Sequence, residues 1–257
     1  MENMTLSDPV ILTASLIAVA FVGLSKGGLG GAFSLLGVPI MALFMPPLQA
    51  AALLLPIYLL MDAVSLWTWR GQWDKRILWQ MVPAGLVGIT IGWLTASVVS
   101  DAAVRLLVGL VALGFVVMTA LRARYQISAT SVPNKPYMGH FWGILSGFTS
   151  FVAHAGGPPF QIHVMPMRLS PSLYTGTSVV FFAFMNTSKI IPYYALDQFD
   201  QFNFSIVIPM IPVAIIATLT GAYIVKRMRA EIFYPFMYSM VGIVSIKLIY
   251  DGLTALL

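Results

Sequence analysis

Apolar residues run along this chain in long unbroken blocks, not in the three-and-four spacing of a helix that is wet on one side. Eight such blocks lie near 9–25, 48–69, 77–98, 103–121, 137–154, 171–193, 203–225 and 232–250. Crossing the hydrocarbon core takes about 20 largely apolar residues, with a range of about 17–25, and each block predicts one such helix. Two shorter apolar stretches, 29–45 and 157–167, each follow a glycine-rich break. Continuous blocks of this kind are helical rather than alternating, which excludes a closed β-barrel. The pattern predicts an all-α integral membrane protein.

Composition agrees. Of 257 residues, 59% are apolar and 9% charged, and the mean hydropathy is +0.88. A soluble domain carries about 45–50% apolar and about 25% charged residues. Charge this sparse cannot cover a water-facing surface, so soluble enzymes, disordered tails and fibrous proteins are excluded. The chain has no cysteine, which removes disulfides, zinc–thiolate sites and iron–sulfur clusters. Its net charge of +5 fits basic cytoplasmic loops better than a nucleic-acid partner. The opening residues MENMTLSDP hold no Lys or Arg, which argues against a cleaved signal peptide and for a retained first helix.

The distribution of basic residues orients the segments. If both short stretches cross and the N-terminus is outside, ten segments result and both termini lie outside. The inner loops then hold Arg70, Lys75, Arg76, Arg122, Arg124, Lys135, Arg168, Lys226, Arg227 and Arg229, and the outer loops only Arg105. Lys26, Lys189 and Lys247 fall within apolar segments. If neither stretch crosses, Lys226–Arg229 and the 70–76 loop fall on opposite sides. Charge therefore favours the crossing arrangement. Trp67, Trp69, Trp73 and Trp79 cluster at the first basic loop, where an interfacial aromatic belt belongs.

Ten segments divide into five and five: a first membrane repeat, 1–121, a cytoplasmic linker, 122–136, and a second repeat, 137–257. Gly23 falls on Gly147, Pro47 on Pro171 and Asp62 on Asn186 at an offset of 124. Asp74 falls on Asp200 at 126, and Pro83 on Pro212 and Gly92 on Gly221 at 129. Five spans per copy invert the second relative to the first, the plan of many secondary transporters. Each copy carries a Gly/Pro-broken helix or a short re-entrant-like segment.

The breaks read Gly23-Leu-Ser-Lys-Gly-Gly-Leu-Gly-Gly31 and His154-Ala-Gly-Gly-Pro-Pro159. Glycine and proline open a helix and free backbone amides, and freed N–H groups at a half-helix start suit an anion. Close helix packing is the other use of glycine. It fits Gly139, Gly143 and Gly147, spaced by four, and Gly88 and Gly92. Ionisable groups in hydrocarbon cost at least ~2.5–3.5 kcal/mol each, so Lys26, Asp62, His154 and Lys189 are the candidate functional side chains. Lys26 either snorkels to the interface or supplies a charge to the site. Asp62 either neutralises Lys26 or Lys189 or carries a proton. His154 is a packing residue, a ligand or a proton carrier. Asn186 and Lys189, three apart, share a helix face. Lys247 and Asp251 read as an interfacial pair, and His140 and His163 as structural. No His-Glu-x-x-His, GxxxxGK[ST] or GxSxG pattern occurs, so no enzyme is predicted; Ser150 and His154, one turn apart, are too common a spacing to suggest one.

Taken together, GLSKGGLGG, Pro39, Pro46-Pro47-Leu-Gln-Ala50 and Pro56 followed by Asp62 resemble the first half of the TauE/SafE sulfite exporter family. Ala153-His-Ala-Gly-Gly-Pro-Pro159, Thr175-Gly-Thr and Asn186-Thr-Ser-Lys189 with Pro192-Tyr193 resemble its second half. The resemblance implies a permease of the bacterial inner (plasma) membrane for sulfite, organosulfonates or related sulfur anions. The motif positions it marks are Lys26, Gly27, Gly28, His154, Gly156, Gly157, Asn186 and Lys189. The predicted partners are the lipid bilayer and a small sulfonate or sulfite anion, with no cofactor, metal or nucleic acid; nothing fixes an oligomeric state. Alternating access, with export driven by the membrane potential, is the expected mechanism. The alternatives are a transporter of a carboxylate or cation with proton coupling through Asp62, an anion channel, and a non-transporting scaffold.

Overall fold

The computed structural model describes residues 9–29, 37–42, 47–95, 98–124, 135–153, 155–195 and 204–256. Among these every regular element is helical: α1 (Pro9–Leu24), α2 (Gly37–Ala42), α3 (Pro47–Thr68), α4 (Lys75–Thr95), α5 (Asp101–Arg124), α6 (Pro136–Val152), α7 (Gly157–Val164), α8 (Pro171–Ser188), α9 (Ile190–Ala195), α10 (Phe204–Arg227) and α11 (Ala230–Leu256). Five stretches are long and apolar enough to cross a membrane: Leu12–Leu29, Lys75–Thr95, Asp101–Leu121, Val207–Arg227 and Ala230–Leu256. The chain is an integral membrane protein.

The sequence predicts eight long spans. Helix α3 has 22 residues and α6 has 17, both within the crossing range, so the difference lies in the block 171–193. The block 171–193 divides into α8 and α9 at Lys189. Proline explains the division. Pro192 has no N–H for the Ser188 carbonyl, and its ring crowds that carbonyl. The Lys189 amide bonds back to Asn186 and Thr187 instead.

Contacts between helices fix their directions. The Lys226 ammonium donates to Thr68 O at 3.0 Å, so α3 and α10 end together. The Asp74 amide donates to Thr177 Oγ1, and His140 Nδ1 meets Gln80 O. The starts of α4, α6 and α8 therefore share that end. The Tyr234 hydroxyl donates to Leu169 O, which adds the start of α11. Arg70, Lys75, Arg76, Lys135, Arg168, Lys226, Arg227 and Arg229 thus gather at one pole. Asp101 and the Lys247–Asp251 pair, 2.5 Å apart, lie at the other. Chains α1, α3, α5 and α10 run toward the basic pole, and α4, α6, α8 and α11 run away from it.

Small residues let backbones touch. A Cβ on Gly88 would strike the Ile144 carbonyl, and one on Gly147 the Gly85 carbonyl, so α4 and α6 lie side by side. Gly221 abuts Leu24 O in the same way, joining α10 to α1. Gly109 and Gly252 seat α5 against α11. On the outside, Leu94, Val98, Leu107, Ile216, Ile246 and Leu253 are exposed, a surface stable only against lipid.

Two outcomes test this arrangement. Gly88→Leu should strip folded protein from the detergent-soluble fraction or lower its melting temperature, since overpacking costs about 1–3 kcal/mol even where the neighbour is a side chain. The chain lacks cysteine, so single cysteines can be read cleanly. Cysteines at Gln72 and Arg229 should react with an impermeant maleimide from one membrane face, and one at Ser100 from the other.

Candidate functional site

The helix of α1 gives way at Ser25–Leu29, where Gly28 has φ 139°, a conformation that glycine alone adopts without strain. Backbone carbonyls freed inside a membrane need partners. The Ser65 hydroxyl donates to Lys26 O at 3.0 Å, and the Trp69 indole donates to Gly27 O at 3.0 Å. Trp69 is fully buried, and the Lys226 ammonium sits 5.3 Å from its ring centroid. This corrects the placement of Trp69 in an interfacial belt. Trp67, two residues earlier and so on the opposite helix face, is 69% exposed and Trp79 82%; these two do face outward.

The Lys26 ammonium ion-pairs with Asp62 Oδ1 at 2.5 Å and lies 5.5 Å from the Tyr58 ring centroid. Asn186 donates from Nδ2 to Asp62 Oδ2 at 2.7 Å. One buried carboxylate thus ties the first break to α8. Of the two sequence readings of Asp62, the structure displays the neutralising one, with Lys26 as partner.

Lys189 differs. It is 4% exposed, and its ammonium donates to the Ser150 carbonyl at 2.7 Å. Among the described residues no carboxylate lies within ion-pair distance of it, although Lys26 and Asp62 are both near enough to act on it electrostatically. That carbonyl engages one of the three donor positions of the Lys189 side chain.

Between α6 and α7 the backbone is again non-helical. The Ser146 hydroxyl donates to Gly156 O at 2.6 Å, and Thr149 Oγ1 donates to Ala155 O at 3.2 Å. His154 lies outside the described residues. Of the four break glycines singled out by sequence, three are packed: Gly27 against Thr218, Gly221 and Ala222, Gly28 against Thr175 and Val225, and Gly156 against Ser146 and Ser150. Gly157 faces open space at the start of α7.

Among the described residues the arrangement therefore offers a buried cluster of two ammonium groups, one carboxylate and one amide, near the start of α7. No described group of three or more His, Cys, Asp or Glu side chains is placed to hold a metal. The family model for the sulfite exporter TauE/SafE matches residues 15–248. The chain belongs to that family. No curated protein and no solved structure matches it. The TauE/SafE assignment covers both breaks and every described residue of the cluster.

Sequence reasoning missed Ser65, Trp69, Ser146 and Thr149, because a hydroxyl or indole that catches a freed carbonyl looks ordinary in sequence. The opposite-face relation of Trp67 and Trp69 is the one signal that was there to use.

The ion pair has a measurable consequence. Lys26→Ala leaves Asp62 buried with one amide, which should cost about 3–5 kcal/mol and lower the thermal midpoint in detergent. Lys26→Met combined with Asp62→Leu should recover most of that loss.

Proposed function

We propose that this TauE/SafE protein is an alternating-access permease that moves sulfite or organosulfonate monoanions or dianions out across the bacterial inner membrane. The observation that carries this reading is Lys189: a buried ammonium with no described carboxylate partner. A substrate anion at its Nζ would neutralise it. Asn186, one turn away, and Lys26 are the further side-chain ligands. Backbone amides at Gly156 and Gly157 complete the shell, with those at Gly27 and Gly28 contributing once α1 moves off α10. His154 is placed at the mouth of the second break by sequence. Asp62 already holds two partners, so among the described residues of the cluster no carboxylate is free for a cation.

The mechanism rests on two inverted copies, 1–121 and 137–257, joined by the linker 122–136. Support comes from contacts that repeat between the copies. Gly23 packs on Ala214 and Ala217, as Gly147 packs on Gly85; Gly221 packs on Leu24, and Gly92 on Phe151 with Phe148 O just beyond. Residues 124 apart play matching parts: Ser65 donates to Lys26 O, and Lys189 donates to Ser150 O. Asp62 and Asn186, themselves 124 apart, bond to each other, as equivalent residues flanking a pseudo-two-fold axis would. Each helix runs opposite to its counterpart: α1 to α6, α3 to α8, α4 to α10 and α5 to α11. Exchange of conformation between two such copies opens the site to alternate sides.

Orientation follows from the basic pole, which belongs in the cytoplasm and leaves both termini outside. Moving one negative charge outward is then favourable by ~2.3 kcal/mol per 100 mV, so export proceeds without a coupling ion.

Proteoliposomes preloaded with unlabelled substrate should show saturable counterflow of labelled sulfite or methanesulfonate. Lys189→Gln should abolish it while the melting profile stays near wild type. Undiminished counterflow by Lys189→Gln would remove Lys189 from the site, and flux that never saturates would indicate a channel.

A further inference from the structure

Thr175-Gly-Thr177 forms the second turn of α8, and two of its three residues have packing duties. A Cβ on Gly176 would strike the Gln72 carbonyl, so α8 seats the loop between α3 and α4 there. Thr177 Oγ1 accepts from the Asp74 amide and donates to Leu173 O at 2.6 Å, the bond back to residue i−4 that a helical threonine can make. Thr175 makes no such bond. It is 2% exposed, and its Oγ1 has no hydrogen-bond partner among the described residues. A hydroxyl unpaired and away from water is destabilising, and packing does not account for it.

Position supplies the role. Helical residues advance by about 100° each, so Thr175 shares the face of α8 that carries Asn186 and Lys189. At 1.5 Å per residue it lies about 16 Å from Asn186, toward the basic pole where α8 starts. Val179 and Phe182 occupy the same face between them. The first break closes over this point: a Cβ on Gly28 would meet the Thr175 methyl on one side and Val225 of α10 on the other. We infer that Thr175 is an inner way-station for the anion. When the first break moves off α10, its hydroxyl donates to a sulfonate or sulfite oxygen at the cytoplasmic mouth, and the anion then passes Val179 and Phe182 to reach Asn186 and Lys189. This rests on the alternating-access reading and adds a second contact point to its central site. A hydroxyl carries no charge, so the contact serves monoanions and dianions alike.

The test compares Thr175→Val and Thr175→Ser with wild type, using labelled methanesulfonate exchange in right-side-out and everted membrane vesicles, with vesicles lacking the protein as the blank. Valine keeps the shape and removes only the unpaired hydroxyl, so the thermal midpoint of Thr175→Val should stay at or above that of wild type. With methanesulfonate offered at the cytoplasmic face, Thr175→Val should raise the half-saturating concentration about tenfold, the scale of one lost hydrogen bond to a charged group. From the outer face the value should not change. Thr175→Ser keeps the hydroxyl and should exchange like wild type from both faces. Wild-type half-saturation of Thr175→Val at the cytoplasmic face would overturn the inference, and so would an equal rise at both faces. A serine variant as impaired as the valine one would assign the effect to the methyl, and a valine variant that fails to fold would make the hydroxyl structural; each also overturns it. Any of these results, with wild-type exchange intact, leaves the permease reading standing. Absence of saturable exchange by folded wild type from either face removes that reading and the way-station with it.

Discussion

Two ammonium groups and a single carboxylate share one buried cluster, and the surrounding structure is organised by the need to accommodate them. Asp62 satisfies Lys26 with one oxygen and Asn186 with the other. That shared carboxylate on α3 links the break after α1 to α8, elements from both halves of the chain. Lys189 is left with a backbone carbonyl. In the proposed function an anionic cargo supplies its counter-charge.

The same pressure shapes the backbone around the cluster. A helix interrupted in hydrocarbon exposes carbonyls that lipid cannot satisfy. At each interruption, hydrogen-bond donors from a neighbouring turn or helix answer them: Ser65 and Trp69 on one side, Ser146 and Thr149 on the other. Glycines bring the supporting helices into backbone contact, α10 against α1 and α4 against α6. The interruptions are thus held by specific bonds and tight packing. A site built in this way is preorganised, so a ligand need not order it on arrival.

Much of this was legible in sequence. Long apolar blocks marked the helices, because crossing hydrocarbon demands continuous apolar length. The pole that gathers Arg70, Lys75, Arg168 and Lys226 matches the loops that the charge argument grouped together. The four-residue glycine spacing of α6 read as close packing and packs closely. Other features were not legible. The offset of 124 aligned Asp62 with Asn186, but an offset does not say that the two side chains bond to each other. The division of the block 171–193 depended on Pro192, whose effect falls four residues upstream of it. Trp69 looked like its exposed neighbours, since composition does not distinguish the inward face of a final helical turn from the outward one.

The central claim is that an anion completes the charge of Lys189. Binding to the folded state alone stabilises it in proportion to ln(1 + [L]/Kd), so the most direct measurement is the thermal midpoint of purified protein in detergent, titrated with methanesulfonate against equal concentrations of chloride. The account predicts a saturable rise for wild type and none for Lys189→Gln. An equal rise in both proteins would place the anion elsewhere and contradict it.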